Sequence, residues 1–228
     1  MSPQAEDNSA MTHVKHLAET IGPRGSTTPS ERQAAEYAAA VMRGAGLEPR
    51  LEEFTSPVSG WRPFALGAGV ALLVSALLLL SSGLAGGRWL AALLGLVMLA
   101  TTASVFLEMY FRPNLLRPFV RKGTSQNVWA VIPAVTRAAA ATARVVLVAH
   151  LDTHRTPWVF MRPWRLRLFS TVTALGVAAS VITALVCLAY AATGWSWLVW
   201  VALCLAPVHL VVLALTLQPD TTPHTAGA

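Results

Sequence analysis

Residues 64–85 read FALGAGVALLVSALLLLSSGLA, a run without a single charged side chain. At a rise of about 1.5 Å per residue, a helix of this length crosses the hydrocarbon core of a bilayer, which is about 30 Å thick. Three further runs share this length and character: Trp89–Leu107, Leu168–Ala192 and Trp195–Leu217. The sequence therefore predicts four transmembrane helices, because buried helices of soluble proteins are rarely so long and so apolar on every face.

The composition of the whole chain also favours a membrane protein. Of its 228 residues, 54% are hydrophobic and only 12% are charged, whereas a typical soluble domain carries about 25% charged residues. Both cysteines, Cys187 and Cys204, lie inside predicted helices, so neither a disulfide framework nor a cysteine zinc site is supported. The polar N-terminal segment lacks the basic start and apolar core of a signal peptide, so internal segments must direct membrane insertion.

Very short connections join the four predicted helices in pairs. Gly86–Arg88 separates the first two helices and Thr193–Gly194 the last two. Each pair must form a hairpin that returns the chain to the side it left. The predicted organisation is a polar part over residues 1–62, a first hairpin over 63–109, a second polar part over 110–167, a second hairpin over 168–217 and a linker over 218–228. The polar parts and the linker then share one face of the membrane.

The basic residues predict which face this is. Of 17 Lys and Arg residues, only Arg88 lies in a hairpin tip. Because cytoplasmic flanks of membrane helices carry an excess of Lys and Arg, we expect a multi-pass protein of the cell membrane with its polar segments in the cytoplasm. The same rule accounts for the formal charge of +6, so a nucleic-acid partner is not indicated. The basic cluster Trp164–Arg167 is interpreted as a membrane anchor, with binding of anionic lipid headgroups as the alternative.

Two helices are predicted in the first polar part. The first lies within Asn8–Glu19, where apolar residues recur at helical spacing. The second begins after Thr28, which forms a capping box with Glu31, and ends at Gly44 or Gly46. Its buried stripe is predicted to consist of Ala34, Ala38, Val41 and Met42.

Three strands are predicted in the polar parts, over Leu47–Phe54, Asn127–Ile132 and Arg144–Ala149. The third is a Val/Leu run that is followed at once by His150, Leu151 and Asp152. Buried strands of α/β folds commonly deliver polar residues at their ends. His150 and Asp152 are therefore candidate site residues.

The order of these motifs resembles the start of the dizinc aminopeptidase family, metallopeptidase family 28. The residues that carry the resemblance are His16-Leu17, Ile21-Gly22-Pro23-Arg24, Glu31, Ala34-Ala35-Glu36-Tyr37, Gly46-Leu47, Glu53-Phe54, Gln126-Asn127-Val128 and Val145–Thr153. They include nearly all the polar motifs and none of the membrane segments.

The resemblance implies an α/β fold class: a partial mixed-sheet domain like that of zinc exopeptidases, joined to four transmembrane helices in two hairpins. In that family two zinc ions are held by a His, a bridging Asp, a Glu, another Asp and another His. His150 aligns with the first metal ligand, and Asp152 aligns with the catalytic-site carboxylate that orients this imidazole. The implied activity is hydrolysis of a peptide substrate by a zinc-activated water, with a Glu as general base.

The sequence departs from the family in two ways. The hairpins interrupt the domain between Phe54 and Gln126 and again after Asp152, and the segment with the remaining ligands and the general base is not found before Ala228. Asp220 and His224 lie among prolines and are interpreted as part of the linker. We therefore expect the chain alone to be inactive, and its reading frame to continue into a C-terminal partner segment that carries the missing ligands.

A second interpretation is a small four-helix membrane protein, a transporter component or scaffold, with a relic of a peptidase. His209 is the one residue within the predicted spans that titrates near neutral pH, and such residues are candidates for function. A neutral histidine packed between helices is the simpler interpretation, because the interiors of the other spans offer no charged partner.

Overall fold

The computed structural model describes residues 10–133 and 145–225. The chain divides into two compact units, and both are discontinuous in sequence. Unit 1 comprises Met1–Val58, Arg121–Thr156 and Pro223–Ala228, and unit 2 comprises Ser59–Val120 and Pro157–Thr222.

Unit 1 begins with two helices. Helix α1 covers residues 10–21 and changes from α-helical to π-helical geometry over His16–Ile21. Helix α2 is Pro29–Gly44. Half of the predicted capping box is confirmed, because the Thr28 hydroxyl accepts from the Glu31 amide at 3.3 Å. The Glu31 carboxylate accepts from the Thr27 amide at 2.6 Å rather than from the amide of Thr28.

The predicted buried stripe of α2 is only partly correct. The residues that are buried are Glu31, Ala34, Ala35 and Ala39, whereas Ala38, Val41 and Met42 are half-buried. Helix α2 contacts the second strand more than the first. This contact turns the helix so that its small alanines, rather than its larger apolar residues, face the sheet.

The sheet consists of two antiparallel strands. Strand β1 is Arg50–Pro57 and strand β2 is Lys122–Trp129, paired in unbroken register from Arg50 opposite Trp129 to Pro57 opposite Lys122. Both strands were predicted, but with shifted bounds. The polar residues at the start of β2 pair through their backbone, and side-chain hydrophobicity gives no signal for that pairing.

The third predicted strand is wrong over residues 145–149, which carry no strand assignment; Arg144 lies outside the described residues. A strand needs a hydrogen-bonded neighbour, and no described segment pairs with this one. The side chains of Val145, Val146, Leu147 and Val148 are 80 to 90% exposed. The described residues thus hold a two-stranded sheet, and the wider mixed sheet expected from the resemblance is not among them.

Unit 2 is a bundle of four long helices, each long and apolar enough to cross a membrane, as predicted. Their bounds are Arg62–Ser81 for α3, Gly87–Met109 for α4, Pro163–Thr193 for α5 and Trp197–Leu217 for α6. Helix α4 packs against α3 and α5, and α6 packs against α5 and α3. The core lies in the bundle and includes Leu78, Met98, Cys187 and Val199.

The two hairpin tips lie at the same end of the bundle. Arg88 in the first tip donates from its Nε to the carbonyl oxygen of Ala191 at 2.8 Å and from Nη2 to that of Ala192, in the last turn of α5. At the opposite end, Arg62 forms an ion pair with Asp220 at 2.7 Å. Asp220 lies in the short 3₁₀ helix Gln218–Thr221, so this part of the predicted linker closes the bundle.

Candidate functional site

Arg24 fixes the loop that carries the predicted site residues. Its Nε donates to the carbonyl oxygen of Leu151 at 2.6 Å, and its Nη1 donates to the carbonyl oxygens of Leu17 at 2.9 Å and Gly22 at 3.1 Å. Only 4% of Arg24 is exposed. Burial lowers the pKa of its guanidinium, and the Asp152 carboxylate acts in the opposite direction. The rigid fork of donors in a guanidinium lets this one side chain join three backbone segments.

Thr153 completes the attachment of the loop. Its hydroxyl accepts from the Arg24 amide at 3.0 Å, and its own amide donates to the Arg24 carbonyl at 2.8 Å. Its carbonyl oxygen is 3.1 Å from Nδ1 of His224. Thr153 is 1% exposed. Its amide, hydroxyl and carbonyl groups each have a hydrogen-bond partner, as is usual for polar groups that are removed from water.

His224 closes over this loop from the far end of the chain. A Cβ at Gly25 would overlap its imidazole ring, so only glycine fits there without a shift of the ring. Burial is the largest cause of the lowered pKa of His224, followed by the charge of Arg155. Because a carbonyl oxygen can only accept, Nδ1 of His224 donates to Thr153. The interpretation of His224 as linker missed this contact.

His150 and Asp152 form a hydrogen-bonded pair. Nδ1 of His150 lies 3.1 Å from Oδ1 of Asp152, and the two side chains are 89% and 35% exposed. A carboxylate on Nδ1 favours the tautomer with the proton at that nitrogen. Nε2 is then left with a free lone pair on a ring that projects into solvent.

This pair lies at the edge of a cleft in unit 1. The cleft has a volume of about 540 Å³ and lies between β2 and residues 146–152. Ser125–Trp129 line one side, and Val146–Ala149 supply the apolar opposite side. His150 and Asp152 therefore lie beside a concave opening, although the segment that leads to them is not a strand.

Glu31 also lines the cleft. Its carboxylate is 5% exposed and accepts from the Ser125 hydroxyl at 2.6 Å as well as from the Thr27 amide. Each oxygen of this carboxylate thus accepts one structural hydrogen bond. The contact with Ser125 links α2 to β2.

The described residues bring two of the segments in the family resemblance together. Arg24 and Thr153 are 129 positions apart and exchange two hydrogen bonds. Within residues 10–133 and 145–225, no three His, Cys, Asp or Glu side chains lie close enough to hold a metal ion. One imidazole with its orienting carboxylate is present, and a catalytic zinc needs about three protein ligands.

Sequence reasoning singled out the motif Ile21–Arg24 but gave Arg24 no role. One feature of the sequence indicates its role: Arg24 lies in a loop between Gly-Pro and Gly-Ser. The guanidinium of an arginine in such a loop can reach backbone carbonyl oxygens. The contact with Thr153 could not be read from the sequence, because it joins segments on either side of the first hairpin.

His209 lies in unit 2, in the interior of the bundle. It is 1% exposed, and its Nε2 is 3.2 Å from the Ser180 hydroxyl of α5. Its Nδ1 has no hydrogen-bond partner in the part of the chain that the structure describes. The expected packing between helices is observed.

Comparison of the chain with models of protein families, with curated proteins and with solved structures finds no match.

Proposed function

We propose that this chain is the membrane-anchored front part of a zinc-dependent exopeptidase, in which His150 is a metal ligand and Asp152 orients it. The observation that carries the proposal is the His150–Asp152 pair at 3.1 Å on the edge of a cleft. Metal-binding histidines commonly donate their second nitrogen to a carboxylate, which fixes the ring and raises its basicity.

The anchoring of the loop supports the same role. Arg24 and Thr153 hold the backbone on both sides of Asp152 through buried hydrogen bonds. A metal ligand gains from a backbone that is already fixed, because binding then does not have to order it.

The donor set fits one zinc ligand with its orienting carboxylate. The remaining ligands and the general base would come from further polypeptide, as the family resemblance implies. A complete site of two zinc ions would then form where this polypeptide meets the cleft, with the peptide substrate bound between β2 and residues 146–149.

The four helices anchor the proposed enzyme in the cell membrane, with unit 1 on the cytoplasmic side. The support for this orientation is the near-absence of basic residues from the hairpin tips, where Arg88 is the one example. Arg88 donates hydrogen bonds to carbonyl oxygens at the end of α5, so the presence of this basic residue in a tip has a structural explanation.

Zinc titration of the chain in lipid nanodiscs tests the role of His150. Imidazole ¹⁵N resonances would be recorded as Zn²⁺ is added. We expect Nε2 of His150 to shift first, while Nδ1 keeps its proton toward Asp152. Because loss of an orienting carboxylate weakens metal binding by about 10- to 100-fold, Asp152→Asn should raise the zinc concentration needed by about that factor.

His154→Ala is the matched control, since His154 lies on the same loop and makes no side-chain contact with Asp152 in the described hydrogen bonds. It should leave the titration of His150 unchanged. If zinc shifts His154 or His224 while His150 stays constant, or if Asp152→Asn binds zinc as wild type does, the proposed role is excluded.

A further inference from the structure

The bundle of unit 2 contains a cavity to which all four helices contribute. Its volume is about 420 Å³, within the range of about 300–1,000 Å³ of pockets that bind small molecules. It lies in the half of the bundle where α3 and α5 begin and α4 and α6 end. Its lining includes Gly67, Thr101, Ala174, Gly176, Ser180 and His209.

Close helix contacts border this cavity. A Cβ at Gly67 would lie 2.8 Å from Cγ2 of Val105, and one at Gly176 would lie 2.6 Å from Cγ2 of Val212. Helix α3 therefore approaches α4, and α5 approaches α6, as closely as glycine permits. The space between these pairs is bounded by tightly packed walls, so it is preformed.

Two hydroxyls in the cavity wall, of Ser180 and Thr101, have hydrogen-bonding capacity that no described residue uses. The Ser180 hydroxyl donates to the Gly176 carbonyl at 2.9 Å, so it accepts from Nε2 of His209 and keeps a second accepting lone pair. Thr101 is 7% exposed, and no hydrogen bond to its hydroxyl is found within the described residues. This buried hydroxyl can both donate and accept.

The wall carries no formal charge. No Asp, Glu, Lys or Arg side chain lines the cavity, and a charged ligand group at membrane depth would be costly without a counter-ion. Apart from six Ser and Thr hydroxyls and His209, the lining is aliphatic or aromatic. Five of these hydroxyls donate to carbonyl oxygens of their own helix, and the exception is Thr101. The occupant that fits is apolar over most of its length, neutral, and equipped with one group that donates and accepts hydrogen bonds.

We propose that this cavity binds a neutral amphiphile from the bilayer, with a long hydrocarbon chain and a single hydroxyl. Its hydroxyl pairs with the Thr101 hydroxyl, which has no other hydrogen bond among the described residues, and its chain occupies the apolar space. Because the walls are membrane-spanning segments, the ligand enters from the lipid phase. The site is separate from the cleft of unit 1 and does not depend on the proposed peptidase function.

Photolabelling of the full chain in phosphatidylcholine nanodiscs tests the proposal. The probe is hexadecanol with a diazirine on its chain, and the competitors are hexadecanol, hexadecane and palmitic acid. We expect saturable labelling within residues 101–109, 169–180 or 209–216. Since one hydrogen bond contributes about 0.5–1.5 kcal/mol, hexadecanol should compete about two- to thirteenfold better than hexadecane.

Three variants locate the ligand. Ala174→Phe fills the cavity and should remove most of the saturable labelling, whereas Ala178→Phe, one turn further along α5 and outside the lining, should retain it. Thr101→Val keeps the shape of the side chain and removes the hydroxyl. It should reduce the advantage of hexadecanol over hexadecane, provided that thermal unfolding shows the fold to be intact.

Three results would overturn the proposal. They are labelling that does not saturate, labelling that Ala174→Phe leaves unchanged, and competition by palmitic acid that equals that of hexadecanol. If Ala174→Phe fails to fold, Thr101→Val decides the question, because an unchanged preference for hexadecanol over hexadecane would exclude the assigned hydroxyl contact.

Discussion

At the scale of single residues, Arg24 does more to shape unit 1 than the site residues do. It is nearly fully buried, and its donors are directed to backbone carbonyl oxygens rather than to a carboxylate. A buried guanidinium whose hydrogen bonds are removed leaves several carbonyl groups unpaired at once.

Arg24→Ala is expected to destabilise unit 1 by about 2–4 kcal/mol, because the carbonyl oxygens of Leu17, Gly22 and Leu151 lose their donor. Hydrogen exchange should show faster exchange of the Thr153 amide. Arg43→Ala, an exposed arginine at the end of α2, should change stability by less than about 0.5 kcal/mol. Equal effects of the two substitutions would contradict the assigned role.

His224 predicts a pH dependence at the same loop. Its folded-state pKa lies below the ordinary value of 6.5, chiefly through burial. When His224 is released from the loop, its imidazole therefore takes up a proton at a higher pH than in the folded state. The stability contributed by the His224 contact is present above pH 6.5, and it is lost as the pH falls through the lower folded-state pKa.

Hydrogen exchange of the Thr225 amide, which donates to the His154 carbonyl at 3.1 Å, measures this loss. After correction for intrinsic rates, its protection should decrease between about pH 7 and pH 5, the range in which imidazoles titrate. In His224→Gln, whose amide can still donate to Thr153 but does not titrate, protection should be independent of pH. A wild-type profile that is flat would refute the prediction.

At the scale of helices and strands, the sequence correctly predicts elements that have a strong local signal. It does not predict the bounds of strands, which depend on pairing with a distant segment. The Thr28 cap of α2 and the four apolar helices follow from short-range physical rules. The bounds of β1 and β2 depend on backbone register between segments on either side of a hairpin. Residues 145–149 show the converse, because high β-propensity does not make a strand without a neighbour.

The candidate site shows the same division. The pairing of His150 and Asp152 follows from their spacing of two positions, and the structure has it. The contacts that hold their loop, from Arg24 and His224, join residues far apart in sequence and were not predicted. The helix face of α2 was also misjudged, because hydrophobicity favours Val41 over Ala35 and Ala39, whereas close packing against the sheet favours alanine.

Glu31 gives a prediction at this scale, since it links α2 to β2. Replacing it by Gln weakens one of two short hydrogen bonds, to the Thr27 amide and the Ser125 hydroxyl, and removes the charge assistance from both. We expect Glu31→Gln to lower the free energy of unfolding of unit 1 by about 1–3 kcal/mol.

Glu36→Gln, on the exposed side of the same helix, is the control. It loses an ion pair with Arg32 at 3.4 Å between exposed side chains, which contributes about 0.3–0.5 kcal/mol. Hydrogen exchange of the β2 amides at increasing denaturant concentration would compare the two variants. A Glu31 variant as stable as the Glu36 variant would show that the buried link contributes little.

At the scale of the whole molecule, the arrangement of hairpins makes a prediction about sidedness. Both tips lie at one end of the bundle, so a residue in a tip and a residue of α2 should react from opposite sides of the membrane. A cysteine at Gly83, where a Cβ would make only an ordinary contact of 3.9 Å with the Leu80 carbonyl oxygen, and one at Arg43 would be compared. The comparison uses chains in which Cys187 and Cys204 are replaced by Ala.

An impermeant maleimide should label the cysteine at position 83 in intact cells and the cysteine at position 43 only after permeabilisation. The positive-inside rule gives this direction. The reverse pattern would place unit 1 outside the cell and contradict the cytoplasmic orientation, and labelling of both sites in intact cells would contradict the hairpins themselves.

The interleaving of the two units also sets an order of events during synthesis. Strand β1 leaves the ribosome before the first hairpin and β2 only after it, yet the two pair without a break up to Pro57 opposite Lys122, and Val58 still bonds to Arg121 at 3.0 Å. If only α3 entered the bilayer and α4 did not, β2 would be left on the other side from β1. The sheet can therefore close only after correct insertion of the hairpin, and a nascent chain that fails this step exposes two unpaired strands to the proteases that remove misinserted proteins.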